Sequence, residues 1–108
     1  MKTFGLTEHE QELIRGVLRQ HPEIIGAKIF GSRAKGTSQS NSDIDLTLEG
    51  KIPSRLAAEI SETLDDLPLP YLFDVTAYGE IEQRTLKEHI DRVGQVFYER
   101  KEALSEKI

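Results

Sequence analysis

Three acids sit where acids are rare. Asp43 and Asp45 lie two apart in the alternating run Asp43-Ile44-Asp45-Leu46-Thr47-Leu48-Glu49, and Asp74 lies between Phe73 and Val75. Aspartate is disfavoured in strands, yet both runs read as strands. Two residues apart on a strand means roughly 6.5–7 Å between Cα atoms, with side chains on one face. An adjacent parallel strand would bring Asp74 within about 5–8 Å of that pair. Carboxylates so close repel unless a cation sits among them. All-oxygen ligation suits magnesium or manganese. Two such ions could grip an in-line displacement at phosphorus. The plainer alternative is a set of solvated acids on an open sheet face.

A second feature is Gly31-Ser32-Arg33-Ala34-Lys35-Gly36. It follows an apolar β-branched run and can open a short helix. Gly31 permits a tight turn at positive φ. The Ser32 N–H and hydroxyl, with free N–H groups at a helix start, make an anion site. Arg33 and Lys35 add positive charge beside it. By itself such a turn also serves as a helix cap. A P-loop is excluded, because Thr37 stands where its lysine belongs. An EF-hand starting at Asp43 is excluded too, since Leu48 and Ser54 occupy its glycine and glutamate positions.

The elements that must position these residues follow from periodicity. Thr7 and Glu10 form a capping box ahead of Leu13, Ile14, Val17 and Leu18, so a helix is expected over residues 8–20. Pro22 ends it, and Ile24 to Phe30 reads as the first strand. The small polar run 37–42 is a loop. Asp43 to Glu49 is the second strand, with Ile44, Leu46 and Leu48 facing one way. Pro53 and Ser54 open a helix whose buried stripe is Leu56, Ala57, Ile60 and Leu64. Tyr71 to Ala77 alternates as the third strand. Glu80 to Arg92 reads as a helix stopped by Gly94, and Val96 to Tyr98 as a short edge segment packed on the sheet. Glu99 to Ile108 has a charged helical pattern. The helix between strands two and three makes a crossover, so those strands should be parallel. Antiparallel pairing of strands one and two would bring the glycine turn to the acids. The alternation of elements argues an α/β or α+β sheet flanked by helices.

With 108 residues, the chain is expected to be a single domain, 1–108. Its formal net charge is −5, from 14 basic and 19 acidic residues, which argues against broad nucleic-acid coating. There is no cysteine, which removes disulfides, thiolate–zinc sites and a thiol nucleophile, and fits a cytoplasmic location. The longest apolar stretch, Leu67 to Phe73, is seven residues with two prolines, too short for a membrane span.

The combined pattern, Phe30-Gly31-Ser32, ten residues, then Asp43-Ile44-Asp45-Leu46, with Phe73-Asp74-Val75 later, resembles the signature of the nucleotidyltransferase superfamily that includes DNA polymerase beta. The short length and the Gly-Ser-Arg form most resemble the minimal nucleotidyltransferases, the MNT-type antitoxins of toxin–antitoxin pairs. The resemblance implies a polymerase beta palm-like fold with a small mixed sheet. It implies that Gly31 and Ser32, helped by Arg33 and Lys35, bind a nucleoside triphosphate, ATP being favoured. Asp43, Asp45 and Asp74 would be catalytic and would bind two Mg²⁺ ions, Mn²⁺ being an alternative. Asp74 could help deprotonate the acceptor hydroxyl.

Larger members carry domains that bind the acceptor, and only ten residues follow Tyr98 here. The expected acceptor is therefore on a helical HEPN-type partner protein, across a homo-oligomer, or small. The competing expectation is an interaction module that neutralises its partner by binding alone. His9, His21 and His89 are scattered and read as surface residues. Tyr78, just past the third strand, reads as packing or as a base-stacking ring.

Overall fold

The computed structural model describes residues 4–31 and 43–100. The capping box forms as the sequence predicts. Glu10 N–H donates to Thr7 Oγ1 (3.1 Å), and Thr7 N–H donates to Glu10 Oε1 (3.0 Å). It starts helix α1, Glu8–Arg19, which buries Ile14, Val17 and Leu18. Tyr71 Oη donates to the same Glu10 carboxylate at 3.2 Å. That bond ties the start of α1 to the chain entering the third strand.

Strand β1, Ile24–Phe30, runs antiparallel to β2, Ile44–Gly50. Helix α2, Ser54–Asp65, crosses over and returns the chain as β3, Phe73–Ala77, parallel to β2. A 3-10 turn, Tyr78–Glu80, precedes helix α3, Arg84–Val93. Strand β4, Gln95–Glu99, then pairs antiparallel with β1. The sheet order is β3-β2-β1-β4. It is the mixed, helix-flanked α/β sheet that the alternation of elements predicts.

One sheet face is uniformly apolar. Ile44, Leu46 and Leu48 of β2, with Ala27 and Ile29 of β1, are at most 1% exposed. They pack in one cluster with Ile14 and Leu18 of α1 and Ala57, Ile60 and Leu64 of α2. Each large aliphatic side chain buried there contributes about 1.5–3 kcal/mol. Arg100 closes this layer at the far edge. Its guanidinium donates to the carbonyls of Ile24, Arg19 and His21 at 3.0–3.1 Å, satisfying acceptors where α1 ends.

The structure departs from the sequence reading in three places. The helix expected from Glu80 begins only at Arg84, because Tyr78–Glu80 forms the 3-10 turn and Ile81 and Gln83 are extended. The chain must leave the edge strand before it can return across the sheet. The third strand begins at Phe73 rather than Tyr71. Glu99 ends β4 instead of starting a helix, and the rest of that expected helix, 101–108, lies outside the described residues.

The second sheet face is polar in sequence but not open throughout. Ile90 of α3 is fully buried outside the main apolar cluster. A Cβ on Gly94 would stand 3.4 Å from Lys28 Cδ. Lys28 is the register partner of Thr47. Gly94, where α3 ends and β4 begins, therefore lies beside Lys28, and Thr47 is 0% exposed.

Candidate active site

The site is assembled at one end of the polar face. β1 ends at Phe30, whose register partner is Asp45. Gly31 follows at φ +80°, where side chains are disfavoured. A Cβ there would stand 2.5 Å from Asp45 Oδ2. The positive φ demands glycine, and the close approach sets the turn's backbone against the Asp45 carboxylate, which a side chain there would displace. Antiparallel pairing of β1 and β2 thus joins the glycine turn to the acids, the condition the sequence reading set for them to meet. Ser32, Arg33 and Lys35 lie outside the described residues.

Across the parallel ladder, Asp45 is the direct partner of Asp74. Neighbouring strands lie about 4.8 Å apart, so the two carboxyl groups leave adjacent backbones on one face. Asp43 sits one residue ahead of β2, on the same alternation. Asp43 and Asp74 are exposed and Asp45 is half-buried. Burial pushes the Asp45 carboxyl above the usual carboxylate range, and the charges of Asp74 and then Asp43 push it the same way. Asp45 is therefore the acid most in need of a counter-charge.

The donor set fits a hard divalent cation in kind: carboxylate oxygens only, with no histidine among them. Among the described residues, no three His, Asp or Glu side chains are already gathered as a metal cage. Bare carboxylates that repel one another have reason to stand apart.

Other sequence candidates fall elsewhere. His9 and His89 belong to helices α1 and α3, and His21 follows α1. Tyr78 Oη donates to Asp91 at 2.8 Å, and Lys87 Nζ lies 4.9 Å from its ring centroid. That ring is used within the α3 packing. Two features were not singled out from the sequence. Leu72, 68% exposed, stands two residues before Asp74. A groove of about 430 Å³ runs beside β3 between α2 and the chain entering α3. The strand alternation placed Leu72 on the acid side, but nothing local distinguishes an exposed leucine from a core one. The groove depends on where α3 begins.

The mixed sheet, with a glycine turn set against paired acids, is the arrangement that the nucleotidyltransferase resemblance implies. The polymerase beta nucleotidyltransferase family model matches residues 12–103, and the chain belongs to that family. It is a nucleotidyltransferase by that membership. No curated protein matches the sequence. Several solved structures share the fold. A toxin–antitoxin structure with AMP-PNP aligns at TM-score 0.71 and 20% identity, over 86% of this chain and 76% of that one. The toxin–antitoxin pair MntA-HepT aligns at 0.67 and 16%, over 90% and 76%. A tri-AMPylated Shewanella oneidensis HEPN toxin in complex with MNT antitoxin aligns at 0.67 and 15%, over 91% and 76%. Among the described residues, no helix is long and apolar enough to cross a membrane.

Proposed function

We propose that this chain transfers a nucleoside monophosphate, AMP from ATP, to a hydroxyl on a HEPN-type partner protein in the cytoplasm. The observation that carries the reading is the Asp45–Asp74 register with Gly31 against Asp45. The AMP-PNP and tri-AMPylated complexes among the fold neighbours support the choice of nucleotide and partner.

Asp43, Asp45 and Asp74 would hold two magnesium ions, with manganese as a substitute. When bound, such ions neutralise charge on the α-phosphate and on the entering and leaving oxygens. The chain's own residues do the rest. Gly31 lets the turn backbone approach the triphosphate, and Ser32 N–H and hydroxyl donate to it, with Arg33 and Lys35 adding charge. Asp45, wedged against Gly31, links that turn to the acid pair. Asp74 accepts the proton of the acceptor hydroxyl. The hydroxyl oxygen bonds to the α-phosphorus, the bond to the bridging oxygen breaks, and pyrophosphate leaves with the electron pair.

The test uses the protein that co-purifies from the native host, identified by mass spectrometry. With Mg²⁺ and α-labelled ATP, label appears on that protein; with γ-labelled ATP it does not. Unchanged labelling by the Asp43→Asn, Asp45→Asn double variant would overturn the mechanism.

A second reading is supported by the antitoxin chains in the same complexes. There the chain neutralises a toxin by occupying it, without catalysis. Neutralisation that survives the double variant favours this reading; loss of neutralisation together with label favours transfer.

A further inference from the structure

The acceptor reading leaves open what holds the acceptor. β3 ends the sheet order, so one of its sides has no strand beside it among the described residues. Ile44 N–H donates to the Leu72 carbonyl at 2.9 Å. Parallel ladders engage alternate residues. Leu72, Asp74 and Thr76 therefore turn their backbone groups to β2, and Phe73, Val75 and Ala77 turn theirs to the free edge. The Phe73 carbonyl is already satisfied by Ser61 Oγ of α2 at 3.3 Å, so the edge open to a partner runs from Val75. Val75 opens into the groove of about 430 Å³, whose apolar wall includes Ala57, Ile81 and Leu86.

The groove is also charged in one sense. Among the described residues, Glu80 and Glu82 are the only charged ones lining it, and both are exposed. Glu80 accepts from Ser54 Oγ at 3.3 Å, and neither glutamate has a cationic partner among the described residues. Val75 follows Asp74 in β3 but points to the opposite face, so a segment laid along the strand edge would reach both the groove and the acid. An open strand edge, an apolar wall and an unpaired acidic rim fit one occupant: an extended peptide segment. A docked helix would leave the strand edge unpaired, and a small ligand would not span from Asp74 to Glu82.

We infer that the free edge of β3 docks the acceptor protein as an added strand, with a basic side chain against Glu80 and Glu82, an apolar side chain in the groove, and the acceptor hydroxyl beside Asp74. This rests on the transfer reading for its purpose but not for its test.

The probe is an oriented library of nine-residue peptides with a central serine, threonine or tyrosine and randomised flanks. Binding is read on the transfer-dead Asp45→Asn chain, so failure of catalysis does not affect it. The expected selection is Lys or Arg at one flanking position and apolar residues at alternate positions. The Glu80→Lys, Glu82→Lys variant, both positions being exposed, should bind the best basic peptide about tenfold more weakly and select acidic residues instead. N-methylation of alternate peptide amides should abolish binding in one register and leave it in the other. Selection unchanged by the charge reversal, or equal loss in both N-methyl registers, overturns the proposal. So does a dimer in sedimentation that the charge reversal dissociates, because the edge is then occupied by a second copy. Labelling of the selected peptides by the wild-type chain with ATP and Mg²⁺ is read separately. Its failure beside intact binding counts against the transfer reading alone.

Discussion

The two faces of the sheet use the same strands for opposite ends. The inner face carries Ile44, Leu46 and Leu48, each 0% exposed, against two helices. The outer face carries Asp45 and Asp74 at one end and the buried Thr47 farther along. Thr47 is buried with no hydrogen bond to its hydroxyl among the described residues, while Asp45 is half-buried among like charges. One face supplies stability. The other holds polar groups that the fold alone leaves uncompensated, and at the open end that deficit is what a cation and a phosphate can fill.

The largest effect should fall on the open end. Asp45→Asn is expected to lower nucleotidyl transfer by about a thousandfold, roughly 4 kcal/mol of activation free energy, while circular dichroism stays unchanged. Loss of the folded signal instead would make Asp45 a structural residue and erase the contrast between the faces. Leu46→Ala, its neighbour on the inner face, should do the reverse. It should cost about 2–5 kcal/mol of stability in denaturant unfolding, with transfer per folded molecule retained.

Gly31 joins the two properties. Gly31→Ala places a Cβ at positive φ and against Asp45. A loss of about 1–3 kcal/mol is expected, together with weaker ATP binding in calorimetry; unchanged ATP affinity would separate the turn from the site. Thr47→Val tests the covered part of the outer face. Removing an unpartnered buried hydroxyl should raise stability by about 1 kcal/mol. A loss of that size would show that the hydroxyl has a bonding role.

The smallest effect concerns pH. Asp45 has its carboxyl pushed up in the fold, so its protonated form is favoured there. Well below the unfolded value, the carboxyl is neutral in both states and no stability is lost. As pH rises through the raised folded value, ionisation costs stability. In chelator, Asp45→Asn should therefore melt higher than wild type at pH 7, and the gap should shrink as the pH falls toward 4. Saturating Mg²⁺ should reverse the order, because the ion stabilises only the carboxylate form.

Much of this was legible locally. The capping box at Thr7 and Glu10, the β1 run ending at Phe30, and the alternation of β2 were all read from short-range pattern. So was the parallel direction of β2 and β3, since a helix between two strands makes a crossover, though not that the two are neighbours. The helix start at Arg84 was not legible, because Glu80 to Gln83 has helical composition while Glu80 closes a 3-10 turn and Ile81 and Gln83 are extended at the corner the chain turns. The burial of Thr47 was not legible either, since alternation assigns a face but not what lies over it.

Residue order alone determined which side chains share a face, because strand periodicity is set by the local backbone. It also set the requirement for glycine at a turn and the placement of acids among strand formers. Only the tertiary structure decided that β2 is flanked by β1 on one side and β3 on the other. That choice rests on long-range burial of Ile29, Leu46 and Val75 in one layer. It is what puts Gly31 against Asp45, Asp45 opposite Asp74, and the free edge of β3 beside them.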